Sequence, residues 1–197
     1  MKKFQNVQGL RGIAAVMVAI GHAQSHYLFV TGDYDPFIAA QSGVDLFFVI
    51  SGFIICSAAI MHESNPWRFV VKRCGRIFPV YWVVLALSAL VALWIVPIVG
   101  TQWMPERPAI DYILLLTLVN RYVPQAWTLS YELYFYACMS IILMAPSRSF
   151  WLVIGSFMLC QTYVVAHVLL SGGNPDASVF SSPLVLEFGF GCGVASV

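Results

Sequence analysis

Residues 42–61 read SGVDLFFVISGFIICSAAIM, and this stretch contains a single charged side chain, Asp45. A transmembrane helix needs about 20 mostly apolar residues to cross the hydrocarbon core of a bilayer. The stretch has that length, so it predicts a membrane-spanning helix with an acid near its start. An ionisable group in such a helix is costly to keep in lipid and is a candidate functional residue.

The composition of the whole chain also favours a membrane protein. Of its 197 residues, 60% are hydrophobic and 10% are charged, and the net charge is +1. Soluble domains average about 45–50% apolar and about 25% charged residues. The composition therefore excludes an ordinary cytosolic domain, a disordered chain and a collagen-like fibre, and it gives no general case for nucleic-acid binding.

Five apolar segments are long enough to span a membrane. They cover residues 10–30, 42–61, 78–99, 126–145 and 150–170, and a partial sixth begins near residue 183. The ten-residue run 110–119 is too short to cross. We therefore predict an all-α fold, a polytopic transmembrane helical bundle that forms a single domain over residues 1–197. Because the last segment ends without a polar tail, we expect the chain to be incomplete at its C-terminus.

The basic residues fall mostly on one side of these spans. With the N-terminus in the cytoplasm, seven lysines and arginines lie on the cytoplasmic side and two, Arg107 and Arg121, lie on the other. Cytoplasmic loops are enriched in such residues, so the pattern predicts a multi-pass plasma (inner) membrane protein with a cytoplasmic N-terminus. If residues 110–119 crossed, Arg148 would move outside and the bias would weaken. A cleaved signal peptide is the less favoured alternative, because five further apolar segments follow the first.

The cysteines and glycines add two expectations about packing. The five cysteines include no CxxC motif and no Cys/His spacing typical of zinc sites, and four lie in apolar stretches where cysteine packs as a small hydrophobic residue. We therefore expect neither a disulfide framework nor a bound metal. Gly189 and Gly193 form a GxxxG pair of the kind that lets two helices pack closely.

Arg11 and His22 lie eleven residues apart in the first span. Eleven steps of about 100° bring their side chains to within about 20° of each other around the helix, about 16 Å apart along its axis. One face thus carries a cation near the cytoplasmic end and an imidazole deeper in the membrane. Either the pair serves chemistry, or it is a snorkelling arginine and a packed histidine with structural roles only.

A basic, amphipathic segment occupies residues 66–76. Arg68, Lys72 and Arg76 repeat at every fourth position, and Arg73 flanks them. Clustered guanidinium groups suit phosphates, which makes the segment a candidate site for a polyanionic ligand at the cytoplasmic face. An interfacial helix in contact with anionic lipid head groups would show the same pattern.

Two acids, Asp45 and Glu132, are predicted in the outer half of the membrane, as is His22. A carboxylate beside a histidine can orient the imidazole and raise its basicity. A buried hydrogen-bond network that fixes helix packing is the structural alternative. Tyr136 shares the helix face of Glu132, and Glu187 is a further ionisable group, in the partial sixth segment.

Four segments of the chain resemble, in order, motifs of the acyltransferase-3 family of multi-span membrane acyltransferases. The opening motif is QGLRGIAA at residues 8–15, followed by His22, and the second-span signature is GVDLFFVISGF at residues 43–53. The basic motif runs over residues 69–82 and ends in RIFPVYW, and the Trp-Ser-Leu-Ser-x-Glu motif corresponds to AWTLSYELYFY at residues 126–136. Residues 183–188 further resemble members that modify exopolysaccharides.

The resemblance implies transfer of an acyl group, often acetyl, from cytoplasmic acyl-CoA to a hydroxyl of a surface polysaccharide or its lipid-linked precursor. It implies that His22 and Arg11 are essential. We expect His22 to act as general base, with an acyl-histidine intermediate as the alternative, and Arg11 to bind the donor or balance charge. The expected substrate-binding residues are Lys72, Arg73 and Arg76 for the CoA phosphates, with Asp45 and Glu132, either of which would orient His22.

The expected partners are the acyl-CoA co-substrate, the carbohydrate acceptor and the lipid bilayer, with no bound cofactor and no nucleic acid. Two other classes stay open, a non-enzymatic transport or translocation protein and an inactive truncated fragment. Intramembrane Arg, His and Glu also suit proton-coupled transport. Transport predicts dependence on a gradient without any need for CoA, whereas acyl transfer predicts CoA release without a gradient.

Overall fold

A computed structural model describes residues 5–31, 38–62, 65–99, 113, 123 and 126–195. Within these ranges the chain forms α-helices and short 3-10 turns and no β-strand, which confirms the all-α fold class. The helices are α1 (Gln5–Thr31), α2 (Ile38–His62), α3 (Pro66–Val99), α4 (Trp127–Ile142), α5 (Phe150–Leu170) and α6 (Leu184–Ala195). The 3-10 turns, Ser147–Ser149 and Pro175–Ala177, flank α5.

Three helices in the described part of the chain are long and apolar enough to cross a membrane. They are Ser42–Ile60 within α2, Pro66–Val91 within α3, and Phe150–Leu170, which is α5. The first and fourth predicted spans coincide with α1 and α4, and the partial sixth coincides with the 12-residue α6. The number of crossings stays a prediction, and residues 110–119 lie outside the described residues apart from Ile113.

The chain divides into two compact units. The first comprises Met1–His62 together with Pro183–Val197, and the second comprises Glu63–Ser182. The first unit therefore contains α1, α2 and α6, and the second contains α3, α4 and α5. The expectation of a single domain over residues 1–197 stays a prediction.

Glycines allow α2 and α6 to pack backbone against backbone in the first unit. A Cβ atom added to Gly52 would lie 2.8 Å from the Cα of Phe188, and one added to Gly191 would lie 2.6 Å from the backbone nitrogen of Phe53. Of the predicted GxxxG pair, Gly193 takes no part in this contact, because a Cβ added to it would have no neighbouring atom within 4 Å. The close contact falls on Gly191, which lies on another face of α6.

A disulfide bond joins Cys56 of α2 to Cys192 of α6. The expectation that the cysteines form no disulfide was therefore wrong. Cys56 follows Gly52 by one helical turn and Cys192 directly follows Gly191, so the close approach of the two backbones brings the cysteine Cα atoms to 5.2 Å. The sequence separation of 136 residues leaves no local spacing from which this pairing could be predicted.

In the second unit, α3 begins at a defined cap. The side-chain oxygen of Asn65 accepts a hydrogen bond from the backbone N–H of Arg68 at 3.1 Å, and Pro66 occupies the first helical position. Both residue types favour a helix N-terminus, because Asn satisfies an otherwise unpaired N–H and Pro needs no hydrogen-bond partner there. The cap determines where the helix starts.

Candidate functional site

Arg11 and His22 lie on one unbroken helix, since α1 runs from Gln5 to Thr31. The guanidinium carbon of Arg11 lies 5.3 Å from the centre of the Phe47 ring on α2, which is the geometry of a cation–π contact. Arg11 is half-buried, whereas His22 is exposed. The first unit thus holds the cation against α2 and leaves the imidazole accessible three turns further along.

Asp45 belongs to a different face of α2 from the one that meets α1. Gly43 and Phe47, which are one turn apart, approach α1 at Met17 and Arg11 respectively. Asp45 lies between them in sequence and is therefore rotated by about 200° from Gly43, towards α6. Its carboxyl group lies beside that of Glu187 on α6. That Asp45 orients His22 stays a prediction.

Glu187 is the residue to which the sequence assigned no role. The Oε2 atom of Glu187 is buried and has no hydrogen-bond partner among the described residues. The sequence did mark Glu187 as a candidate functional residue, because it is an acid within an apolar segment. Its partner could not be found, because Asp45 lies on a distant part of the chain.

The basic segment at the start of α3 divides between two environments. Arg68, Lys72 and Arg76 are exposed, as their four-residue spacing predicts. Arg73 is half-buried and lies one turn after Phe69, which is fully buried. The four cations therefore do not form one uniform surface, because Arg73 lies on the inward stripe of the helix.

Arg73 contacts two aromatic rings in the second unit. Its guanidinium carbon is 5.4 Å from the centre of the Phe69 ring and 5.8 Å from the centre of the Tyr136 ring on α4. The two rings meet edge to face at 90°, with centres 6.1 Å apart. The Tyr136 hydroxyl donates a hydrogen bond to Oε2 of Glu132 at 3.3 Å, and Glu132 is only 5% exposed. Glu132 and Tyr136 thus share a helix face, as predicted.

The predicted site residues therefore fall into two groups. In the first unit, Arg11 contacts Phe47 and Asp45 pairs with Glu187. The second unit holds Glu132, Arg73 and the exposed pair Lys72 and Arg76. No group of three or more metal-ligating side chains occurs in the ranges that the structure describes.

These residues, carried on apolar helices, define a membrane protein with cationic, acidic and imidazole groups on its membrane segments. The model of the acyltransferase-3 family, described as an acyltransferase domain, matches residues 4–197. The chain therefore belongs to the acyltransferase-3 family.

Curated relatives agree with this membership. The chain is 29% identical over 162 residues to the exopolysaccharide production protein ExoZ of Rhizobium meliloti (strain 1021), a match that covers 77% of this chain and 49% of ExoZ. It is 29% identical over 132 residues to BcsY of Komagataeibacter xylinus, whose name proposes a membrane-bound transacylase; the match covers 66% of this chain and 29% of BcsY. The chain thus spans at most about half the length of these relatives. No solved structure matches it.

Proposed function

We propose that this chain transfers an acyl group, acetyl in the first instance, from cytoplasmic acyl-CoA to a hydroxyl of a surface polysaccharide or its lipid-linked precursor. Membership of an acyltransferase family supports the reaction class. The observation that carries the proposal is made on α1, where Arg11 is held against Phe47 while His22 on the same helix stays exposed. A catalytic base must be accessible to its substrate, and His22 meets that condition.

In the proposed reaction, His22 takes the proton of the acceptor hydroxyl while the hydroxyl oxygen attacks the thioester carbonyl. The new C–O bond forms, the C–S bond breaks, and the departing CoA thiolate takes the proton back from the imidazolium. General-base assistance of this kind typically contributes about 10²–10⁴-fold to the rate. In the alternative two-step route, the acyl group is carried on the His22 ring before it reaches the acceptor.

The donor would be recognised through its phosphates. Lys72 and Arg76 are exposed at the start of α3 together with Arg68, and such side chains suit phosphate oxygens. Arg11 lies about 16 Å from His22 along the helix axis. That separation suits a donor that carries its phosphates at the membrane surface and its thioester at the end of a long arm.

The acceptor and the location belong to the same proposal. The name of ExoZ connects that relative with exopolysaccharide production, which favours a polysaccharide acceptor here. The bias of basic residues supports a plasma (inner) membrane location with a cytoplasmic N-terminus. Acyl-CoA would act as a co-substrate of this reaction and not as a resident cofactor.

The test uses membranes that contain the protein, radiolabelled acetyl-CoA and a polysaccharide extract from the host. We expect label to enter carbohydrate with release of CoA, and His22→Gln to lower the rate by about 10²–10⁴-fold. His167→Gln is the matched control, since His167 is an exposed histidine in the last turn of α5. Full transfer by His22→Gln would contradict the assigned role. Uptake that needs an ion gradient and releases no CoA would indicate a transport protein instead.

A further inference from the structure

Arg73 differs from its neighbours in the basic segment because two aromatic rings limit its movement. Phe69 lies one turn before it on α3, and Tyr136 lies across from it on α4. The rings stand perpendicular to each other and are 0% and 6% exposed, so they form a rigid corner around the guanidinium group. Lys72, the adjacent residue in the chain, is exposed.

Tyr136 is itself held by Glu132. The hydrogen bond from the phenol to the buried carboxyl group of Glu132 limits the rotation of the ring. Glu132 thus contacts Tyr136, and Tyr136 in turn contacts Arg73.

We propose that Phe69 and Tyr136 form an aromatic clamp that fixes the direction of the Arg73 guanidinium, and that Glu132 fixes the clamp through Tyr136. As far as the ligand is concerned, this rests on the proposed function, with Arg73 as a further residue of the basic segment that meets a phosphate of acyl-CoA. Tyr136 and Glu132 are then positioning residues for donor binding. In this proposal Glu132 acts on Arg73 through Tyr136, whereas the sequence had suggested that it orients His22.

A clamp of this kind favours donor binding for an entropic reason. A free arginine samples many rotamers, and a ligand that binds it must overcome that lost freedom. An arginine already held by two rings keeps its forked N–H groups in one direction and loses less freedom when a phosphate arrives. Loss of the clamp should therefore weaken donor binding, whereas the chemical step should change little.

The first experiment measures Arg73 directly and does not depend on activity. Protein in membranes is treated with phenylglyoxal, an arginine reagent, and modification of Arg73 is compared with that of Arg76 by mass spectrometry. We expect Tyr136→Leu to raise the rate at Arg73 by about five- to tenfold, the size of effect that a lost cation–π contact allows. Modification of the exposed Arg76 should not change. An unchanged rate at Arg73 would overturn the clamp.

Two further variants separate the clamp from general damage to the fold. Tyr136→Phe keeps the ring and removes the hydroxyl, so the rate at Arg73 should rise by only about twofold. Phe135→Leu removes a neighbouring ring that is equally buried, at 2% exposure, but on another face of α4. It should leave the reactivity of Arg73 unchanged. Equal effects of Phe135→Leu and Tyr136→Leu would contradict a specific role for Tyr136.

The second experiment connects the clamp to the donor. In the transfer assay, Tyr136→Leu should raise KM for acetyl-CoA by about tenfold while kcat falls by less than about twofold. A fall in kcat at unchanged KM would show a merely structural effect and would overturn the inference. If the unaltered protein transfers no acetyl group, the proposed function fails, and the phenylglyoxal experiment still decides the clamp.

Discussion

Lys72 and Arg73 are adjacent cations with different environments, because one residue turns the helix by about 100°. The step carries Arg73 onto the stripe that includes Phe69, whereas Lys72 stays on the exposed side with Arg76. The spacing of Arg68, Lys72 and Arg76 predicted that exposed side correctly. The inward position of Arg73 was not predicted, since it depends on Tyr136 from another helix.

The acids show the same limit of sequence reasoning. Asp45 and Glu132 were recognised as candidate site residues because each stands in an apolar segment. Their partners in the structure are Glu187 and Tyr136. Tyr136 lies one turn from Glu132, and the sequence located it on the right face. Glu187 comes from a remote helix, and no periodicity connects it to Asp45.

The pair of carboxyl groups should contribute to stability. Glu187→Leu leaves Asp45 without its partner on α6, which we expect to cost about 1–3 kcal/mol. Glu187→Gln keeps a hydrogen-bond donor opposite Asp45 and should cost less than about 1 kcal/mol. Thermal unfolding of the purified protein in detergent measures both, with Phe190→Leu on the exposed side of α6 as the control. Equal melting temperatures for the Leu and Gln variants would contradict the pairing.

At the scale of the elements, α2 and α6 form the closest pair described here. Small residues permit such contacts between membrane helices, where packing has to replace the hydrophobic effect as the driving force. Gly52 and Gly191 supply the contact, and Phe48 stacks on Phe188 beside it, with ring centres 4.8 Å apart. The disulfide bond between Cys56 and Cys192 then follows from the same approach of the two helices.

Adding a methyl group at this contact should separate the helices. Gly52→Ala would make a Cβ overlap the carbonyl oxygen of Phe188 and would bring it to 2.8 Å from the Cα of that residue, and overpacking of this kind costs about 1–3 kcal/mol. That exceeds the gain of at most about 1 kcal/mol that Ala brings to a helix over Gly.

Gly193→Ala is the matched control, because open space surrounds its position on α6. It should be neutral or slightly stabilising, by at most about 1 kcal/mol. Thermal unfolding in detergent compares the two variants. If Gly52→Ala melts at the same temperature as Gly193→Ala, the helices are not in close contact at Gly52.

At the scale of the whole molecule, the direction of two helices bears on the topology. Contacts between α2 and α6 advance together along both, from Phe48 with Phe188 to Cys56 with Cys192, so the two helices run in the same direction. Three predicted spans lie between them. With three crossings between them, α6 enters the membrane in the same direction as α2. A fourth crossing at residues 110–119 would make α6 run in the opposite direction. The parallel arrangement is thus the one that three crossings between α2 and α6 would require, and the number of crossings stays a prediction.

This topology predicts opposite accessibility for the two ends of α5. A cysteine at Ala177, an exposed residue after α5, should react with an impermeant maleimide in intact cells. A cysteine at Arg148, exposed before α5, should react only after the membrane is permeabilised. Both are made in a Cys160→Ser background, because Cys160 is free and exposed. The reverse labelling pattern would show that the protein has the opposite orientation in the membrane.

The sequence by itself determined the all-α membrane fold, the family, the exposed basic face and the set of ionisable candidates. Each of these depends on composition or on spacing within one segment, which the helical repeat converts directly into geometry. Only the tertiary structure decided that Asp45 meets Glu187, that Cys56 bonds to Cys192 and that Tyr136 contacts Arg73. Those contacts join helices distant in sequence, and they depend on which faces pack together, a choice that no local pattern contains.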